Sequence, residues 1–216
     1  MKFVYIQLFM MFCIFTGGCQ WGELNGNYSL TVAMVTDPQN KLFVFYKDGN
    51  DSIRVDSAIY INGKFELKGR IPYPQRALVC MDQKNPTFFE DAVRFTDDAM
   101  FVFLEEGDIQ VLAEKTLRGA RLSGTPSNDD LQVYTDSIRF YRDWLDGYRK
   151  RYGEAYRNRD DVAFISLNRE NALMEGRLYE VERCFFDQHP GSLVALDWLE
   201  RTYNIAREKS KIIPLF

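Results

Sequence analysis

The sequence is poor in the residue types on which most enzyme sites are built. It has one histidine, His189, which removes multi-histidine metal sites and makes any Ser-His-Asp or Cys-His system depend on a single side chain. His189 directly precedes Pro190-Gly191, a helix-ending context, so a structural role is expected of it. There is no Cys-x-x-Cys pair, hence no dithiol redox centre within the chain. No glycine-rich phosphate loop follows a strand pattern, and no zinc-ligand spacing occurs. Asp48, Asp51 and Asp56 lack EF-hand spacing and read as turn residues. No basic block interrupts a chain of formal net charge −4, so nucleic acid is not an expected partner. The sequence therefore assigns no catalytic residue, no metal ligand, no cofactor and no ligand-binding residue.

What is present begins with an address. Lys2 and the apolar stretch Phe3–Phe15 form the n- and h-regions of a signal peptide, too short to span a bilayer as a helix. Thr16-Gly17-Gly18-Cys19 follows and resembles the lipobox of bacterial lipoproteins, in which the cysteine is acylated and becomes the anchored N-terminus. Ordinary cleavage near Gly18, leaving Cys19 as a plain thiol, is the alternative. Gln20 is not the Asp of an inner-membrane retention signal, so a lipid anchor at Cys19 in the outer membrane, facing the periplasm, is expected. The mature chain keeps Cys80 and Cys184, far apart in sequence. A bridge suits an oxidising compartment, but two buried free thiols suit their separate regions better.

The expected fold class is α+β: an N-terminal antiparallel β-sandwich or open barrel, then a C-terminal helical hairpin plus a third helix. Residues 1–18 are the signal, 19–125 the lipid-anchored β domain and 126–216 the helical domain. Eight strands are predicted, at Tyr28–Val35, Lys41–Lys47, Ser52–Tyr60, Lys64–Arg70, Arg76–Met81, Ala99–Glu105, Asp108–Ala113 and Ala120–Leu122. Asn62-Gly63 marks a type I′ hairpin, and Asp48–Asp51 and Glu106-Gly107 mark two more. The aromatic loop between Asp82 and Asp98, carrying Pro86, Phe88, Phe89 and Phe95, either plugs one end of the β domain or offers a contact surface.

After Ser123-Gly124-Thr125-Pro126 the period becomes helical. Ser127 and Asp130 approach a capping box. Leu131, Tyr134, Ile138, Tyr141, Leu145, Tyr148 and Tyr152 form one heptad stripe; Phe164, Leu167, Asn171, Met174, Leu178, Val181 and Phe185 form another. A turn at Asn158–Asp161 makes them a hairpin, and Ser192 caps a third helix running to about Lys209. The tyrosines read as core rather than as a stacking row for sugars or bases. Arg149, Lys150, Arg151, Arg157 and Arg159, interleaved with acids, read as a solvated face.

Together the signal ending at Cys19, the Asp56-Ser57-Ala58…Asn62-Gly63-Lys64-Phe65-Glu66-Leu67-Lys68-Gly69 hairpin, Phe101–Ile109, the Ser123-Gly124-Thr125…Asn128 junction and Phe185–Leu199 carry a resemblance. They resemble the N-terminal region of thioredoxin-like thiol–disulfide oxidoreductase lipoproteins of Bacteroidetes. In that family a β domain of unknown function and a helical segment lead into a redox module. Here the chain stops at Lys211–Phe216, about where that module would begin, which implies a truncated member or a fragment. Two functions are expected. One is a non-enzymatic envelope lipoprotein that recognises a periplasmic protein partner through the Pro86–Phe95 loop or the groove between sheet and helices. The other is the docking half of a periplasmic disulfide oxidoreductase.

Overall fold

A computed structural model describes residues 26–34, 41–48, 52–81 and 98–202. The segment read as a signal, Cys19, the Pro86–Phe95 loop and the last residues lie outside this set. Eight strands and four helices follow one another: β1 Tyr28–Ala33, β2 Lys41–Lys47, β3 Ile53–Ile61, β4 Lys64–Gly69, β5 Gln75–Met81, β6 Ala99–Leu104, β7 Gly107–Leu112 and β8 Arg121–Ser123, then α1 Pro126–Ser137, α2 Arg139–Asn158, α3 Asp161–Gln188 and α4 Leu193–Thr202. This is the expected α+β arrangement, a nearly closed eight-stranded barrel followed by helices.

The strands form one sheet in the order β6-β5-β2-β3-β4-β1-β7-β8. Their pairings are antiparallel with one correction to expectation: β1 runs parallel to β7, Leu30 opposite Ile109. The strands flanking β1 in space, β4 and β7, are distant from one another in sequence, so local turn signals do not reveal that pairing. Asn62 and Gly63, with φ of 52° and 88°, make the I′ turn that sets Ile61 opposite Lys64. Strand β3 pairs with β2 along 53–59 and with β4 only at 60–61, which makes it the corner of the barrel.

Alternation sends Leu30, Val32, Leu42, Val44, Phe65, Val79, Val102, Leu104, Ile109 and Val111 into one buried cluster inside the barrel. Strand β5, Ala77-Leu78-Val79-Cys80-Met81, is an unbroken apolar run because it is buried on both faces. Its outward Leu78 and Cys80 pack with Phe45 and Phe101. Outside β6, Phe103 joins Phe185 of α3 and Val194 of α4, with Leu131 and Tyr134 of α1 packed around them. The helices thus dock on the barrel through β6.

Strands β6 and β8 are the two open edges, and α1 lies across the seam between them. Asn128 makes a strand-like exchange with β6: its Oδ1 accepts from the Phe103 N–H at 2.8 Å, and its Nδ2 donates to the Phe103 carbonyl at 2.7 Å. One turn later Gln132 Oε1 accepts from the Leu122 N–H of β8 at 2.7 Å. Residues four apart on one helix face therefore satisfy backbone groups on both edges, which would otherwise be orphaned. Gly124, at φ 104°, lets the chain turn from β8 into α1; a Cβ there would lie 2.2 Å from the Asp108 carbonyl oxygen.

The capping expectation is corrected. The N-cap of α1 is Thr125, whose side chain makes no cap bond to the helix. Glu105, directly after β6, caps instead, accepting from the Ser127 N–H and Oγ–H at 2.8 Å each. The carboxylate sits where the helix dipole is positive. The first heptad stripe is also divided at Ile138, where α1 ends and α2 begins. Ser137 Oγ–H donates to the Val133 carbonyl at 2.8 Å, a back-bond of the kind that bends helices. Beyond the break, α2 and α3 form the expected hairpin, turning at Arg159 in the left-handed region and at Asp160, which accepts from the Ala163 N–H at 2.9 Å. Ser192 caps α4 as expected, its Oγ accepting from the Val194 N–H.

Candidate functional site

The groove between sheet and helices, one of the two surfaces the sequence offered, holds a cavity of about 310 Å³. Strands β5 and β6, the 117–120 turn, β8, α1, the first turn of α2 and α4 bound it. Each wall has a local cause. Asn128 and Gln132 fix α1 over the seam, the Asp98 side chain holds the 117–120 turn by accepting from the Leu117 N–H, and past the bend at Ile138 the first turn of α2 brings Arg142 into the lining.

Its lining is mostly apolar, with Met100, Phe101, Phe103, Leu117, Leu131, Ile138 and Val194, and its charged residues are Arg76, Arg118, Arg142 and Asp197. Arg76 stacks its guanidinium 3.4 Å from the Phe101 ring centroid and lies 3.7 Å from Asp197. Arg118 is paired with Asp146. Arg142 has no side-chain partner among the described residues, and its Nε is buried without an acceptor. Leaving such a donor unmet costs about 1–3 kcal/mol, more for a charged group. The geometry suits a small ligand with an anionic end and an apolar body.

Other candidates fall elsewhere. His189 closes α3; its Nδ1 lies 3.2 Å from Asp130 Oδ1 and its ring stacks on Phe185 at 4.5 Å, pinning α3 to α1. Cys80 is free and buried, as expected, and burial first, then the charge of Asp98, pushes its thiol up to about 11. Cys184 is free but exposed on α3, against the expectation of two buried thiols, because it lies beside the apolar stripe rather than in it. Asp48 is a turn residue, accepting from the Ser52 N–H, whereas Asp56 is a strand residue that accepts from the Tyr46 hydroxyl at 2.7 Å. Burial and that bond push the Tyr46 phenol up to about 12. Asp51, Cys19 and the aromatic loop lie outside the described residues. Among the described residues, no group of three or more His, Cys, Asp or Glu could hold a metal ion, and no helix is long and apolar enough to cross a membrane.

The tyrosine stripe is a ladder. Tyr141, Trp144, Tyr148 and Tyr152 follow at centroid distances of 5.5, 4.8 and 5.7 Å, and Tyr152 meets Phe164 of α3 edge-on at 4.7 Å. It mates with the second stripe, as a core would, but stays half-buried. Glu170 of α3 closes its flank, taking 2.5 Å and 2.7 Å bonds from Trp144 Nε1 and Arg151 Nη2. Arg151 first, then Trp144, holds that carboxyl down at about 2.

Residues 23–131, half of the chain, match the family model of the domain of unknown function DUF4369. The chain belongs to the DUF4369 family. The DUF4369 match takes in all eight strands and α1 as far as Leu131, and so includes Glu105, Gly124 and Asn128. No curated protein and no solved structure matches the chain.

Sequence reading did not single out Arg76, Arg118 or Arg142. The available signal was weak: Arg142 lies one turn after Ile138, flanking the apolar stripe. Its isolation from acids appears only when the seam is assembled.

Proposed function

We propose that this DUF4369 protein is a recognition module of the bacterial cell envelope, anchored through Cys19 and facing the periplasm, that binds a small ligand or ligand group in the seam cavity. The observation that carries this reading is the cavity itself, an apolar pocket at the barrel–helix junction lined by Arg142, whose buried Nε has no partner among the described residues. Anchoring rests on the lipobox-like Thr16–Cys19 segment. A non-catalytic role is supported by the engagement of His189 in packing and by the protonated, buried state of the Cys80 thiol.

A methyl NMR screen of small fragments against the mature chain tests the reading. Hits that shift Leu117, Leu131 and Val194 support it; hits that leave those methyls unmoved contradict it. Palmitate labelling tests the anchor, and Cys19→Ser should abolish it.

A second reading, the docking half of a periplasmic thioredoxin-like disulfide oxidoreductase, is favoured by the Phe185–Leu199 stretch. The family-like His189-Pro190-Gly191-Ser192 turn there docks α3 and α4 against Phe103 of the barrel. The isolated chain should then leave insulin unreduced yet speed reduction by a periplasmic thioredoxin-like protein added in trans. An unchanged rate would contradict it.

A further inference from the structure

The chain is acidic, with a net charge of −4, yet its seam cavity is lined by three arginines and one aspartate. Arg76 and Arg118 each have a carboxylate beside them, in Asp197 and Asp146. Arg142 faces the same space with a buried, acceptor-less Nε and no anion among the described residues. One guanidinium fork without an anionic partner among the described residues matches one monoanionic group, and the planar fork matches a carboxylate bidentately. A dianion would need a second uncommitted cation in the cavity. A lone water could meet the Nε but would leave the Leu131 and Ile138 walls facing unfilled space.

We infer that the cavity binds a small carboxylate with an apolar body, its carboxylate on Arg142 and its body against Leu131 and Ile138. This rests on the seam cavity being the recognition site, and it names the chemistry that site selects. Arg142 then sets specificity: neutral analogues of the same shape keep the apolar contacts and lose the ion pair and its bidentate geometry.

The test is a methyl NMR titration of the mature chain with octanoate, with octanamide as the neutral isostere and inorganic phosphate as the anion without an apolar body. Octanoate should shift the Leu131 and Ile138 methyls and bind about tenfold or more tighter than octanamide. Arg142→Gln should erase that difference by weakening octanoate far more than octanamide. Arg142→Lys should fall between. The unliganded Arg142→Gln chain should melt close to the wild-type temperature, since the Nε it replaces has no hydrogen-bond partner to lose; this separates lost binding from lost folding. Equal affinity for octanoate and octanamide, or undiminished octanoate binding by Arg142→Gln, would overturn the carboxylate inference and leave the recognition site standing. Tighter binding of phosphate than of octanoate would overturn it too. If neither alkyl compound moves the Leu131 and Ile138 methyls, the seam is not the recognition site and both readings fall together.

Discussion

Inside the barrel, Val32, Val44, Phe65, Val79 and Ile109 have no exposed surface, whereas along the α2–α3 arm the residues buried away from the barrel end are only Ala155 and Leu167. Both regions are rich in aromatics. In the barrel, alternating side chains from eight strands converge on one volume, and apolar burial supplies the stabilisation. In the arm, two helices meet along a single stripe, so each ring keeps an edge in water. Stacking and the Trp144–Glu170–Arg151 contacts supply what burial cannot. Helix α1 belongs with the barrel, because Asn128 and Gln132 bond its edge strands. The boundary between the two regimes is Ile138, and the candidate site sits at that boundary.

The contrast can be broken by substitution. Phe65→Ala, at a wholly buried barrel position, should cost about 3–5 kcal/mol in urea unfolding followed by circular dichroism. A cost near that of an arm residue would remove the distinction. Asn128→Ala should cost about 2–4 kcal/mol, because it strands the Phe103 N–H and carbonyl at the barrel edge. Stability within a few tenths of wild type would mean that α1 is not the closure of the seam. Tyr148→Ala, in the middle of the ladder, should cost only about 1 kcal/mol and loosen α2 and α3 without disturbing barrel resonances.

The smallest effect is on pH. Glu170 titrates in the folded arm at about 2, below its ordinary range, so its contribution is complete above about 4.5 and lost as pH falls through about 2. The Trp144 indole N–H shift should titrate in that acid window and lose the transition in Glu170→Gln. The change in stability should be small and salt-sensitive, since the Arg151 and Glu170 side chains are 48% and 35% exposed. A midpoint at an ordinary glutamate value would show that Arg151 and Trp144 do not hold the carboxyl.

Local pattern carried most of the fold. Lys41–Lys47 is a strand over the predicted residues, Asn62-Gly63 forms its I′ turn, and the second stripe from Phe164 to Phe185 is the inward face of one helix, Asn171 included. Such features follow from side-chain period and turn chemistry, which neighbouring residues determine. The β1–β7 pairing, the Glu105 cap and the Asn128 and Gln132 latches depend instead on which distant backbone lies opposite, and a single sequence does not encode that locally. The site was less legible than the fold. The groove between sheet and helices was indicated, but Arg142 looks like any surface arginine until the acids of its neighbours are found committed elsewhere.

Native-state hydrogen exchange of the full chain tests the division most directly. The Phe103 and Leu122 amides, held by Asn128 and Gln132, should exchange only through global unfolding, at the rate of the central barrel strands. Amides of α2 beyond Ile138 should exchange through a separate opening of lower free energy. If Phe103 and Leu122 exchange with the arm, or if arm and barrel share one opening, the chain is a single cooperative unit and the barrel-closing role of α1 is wrong.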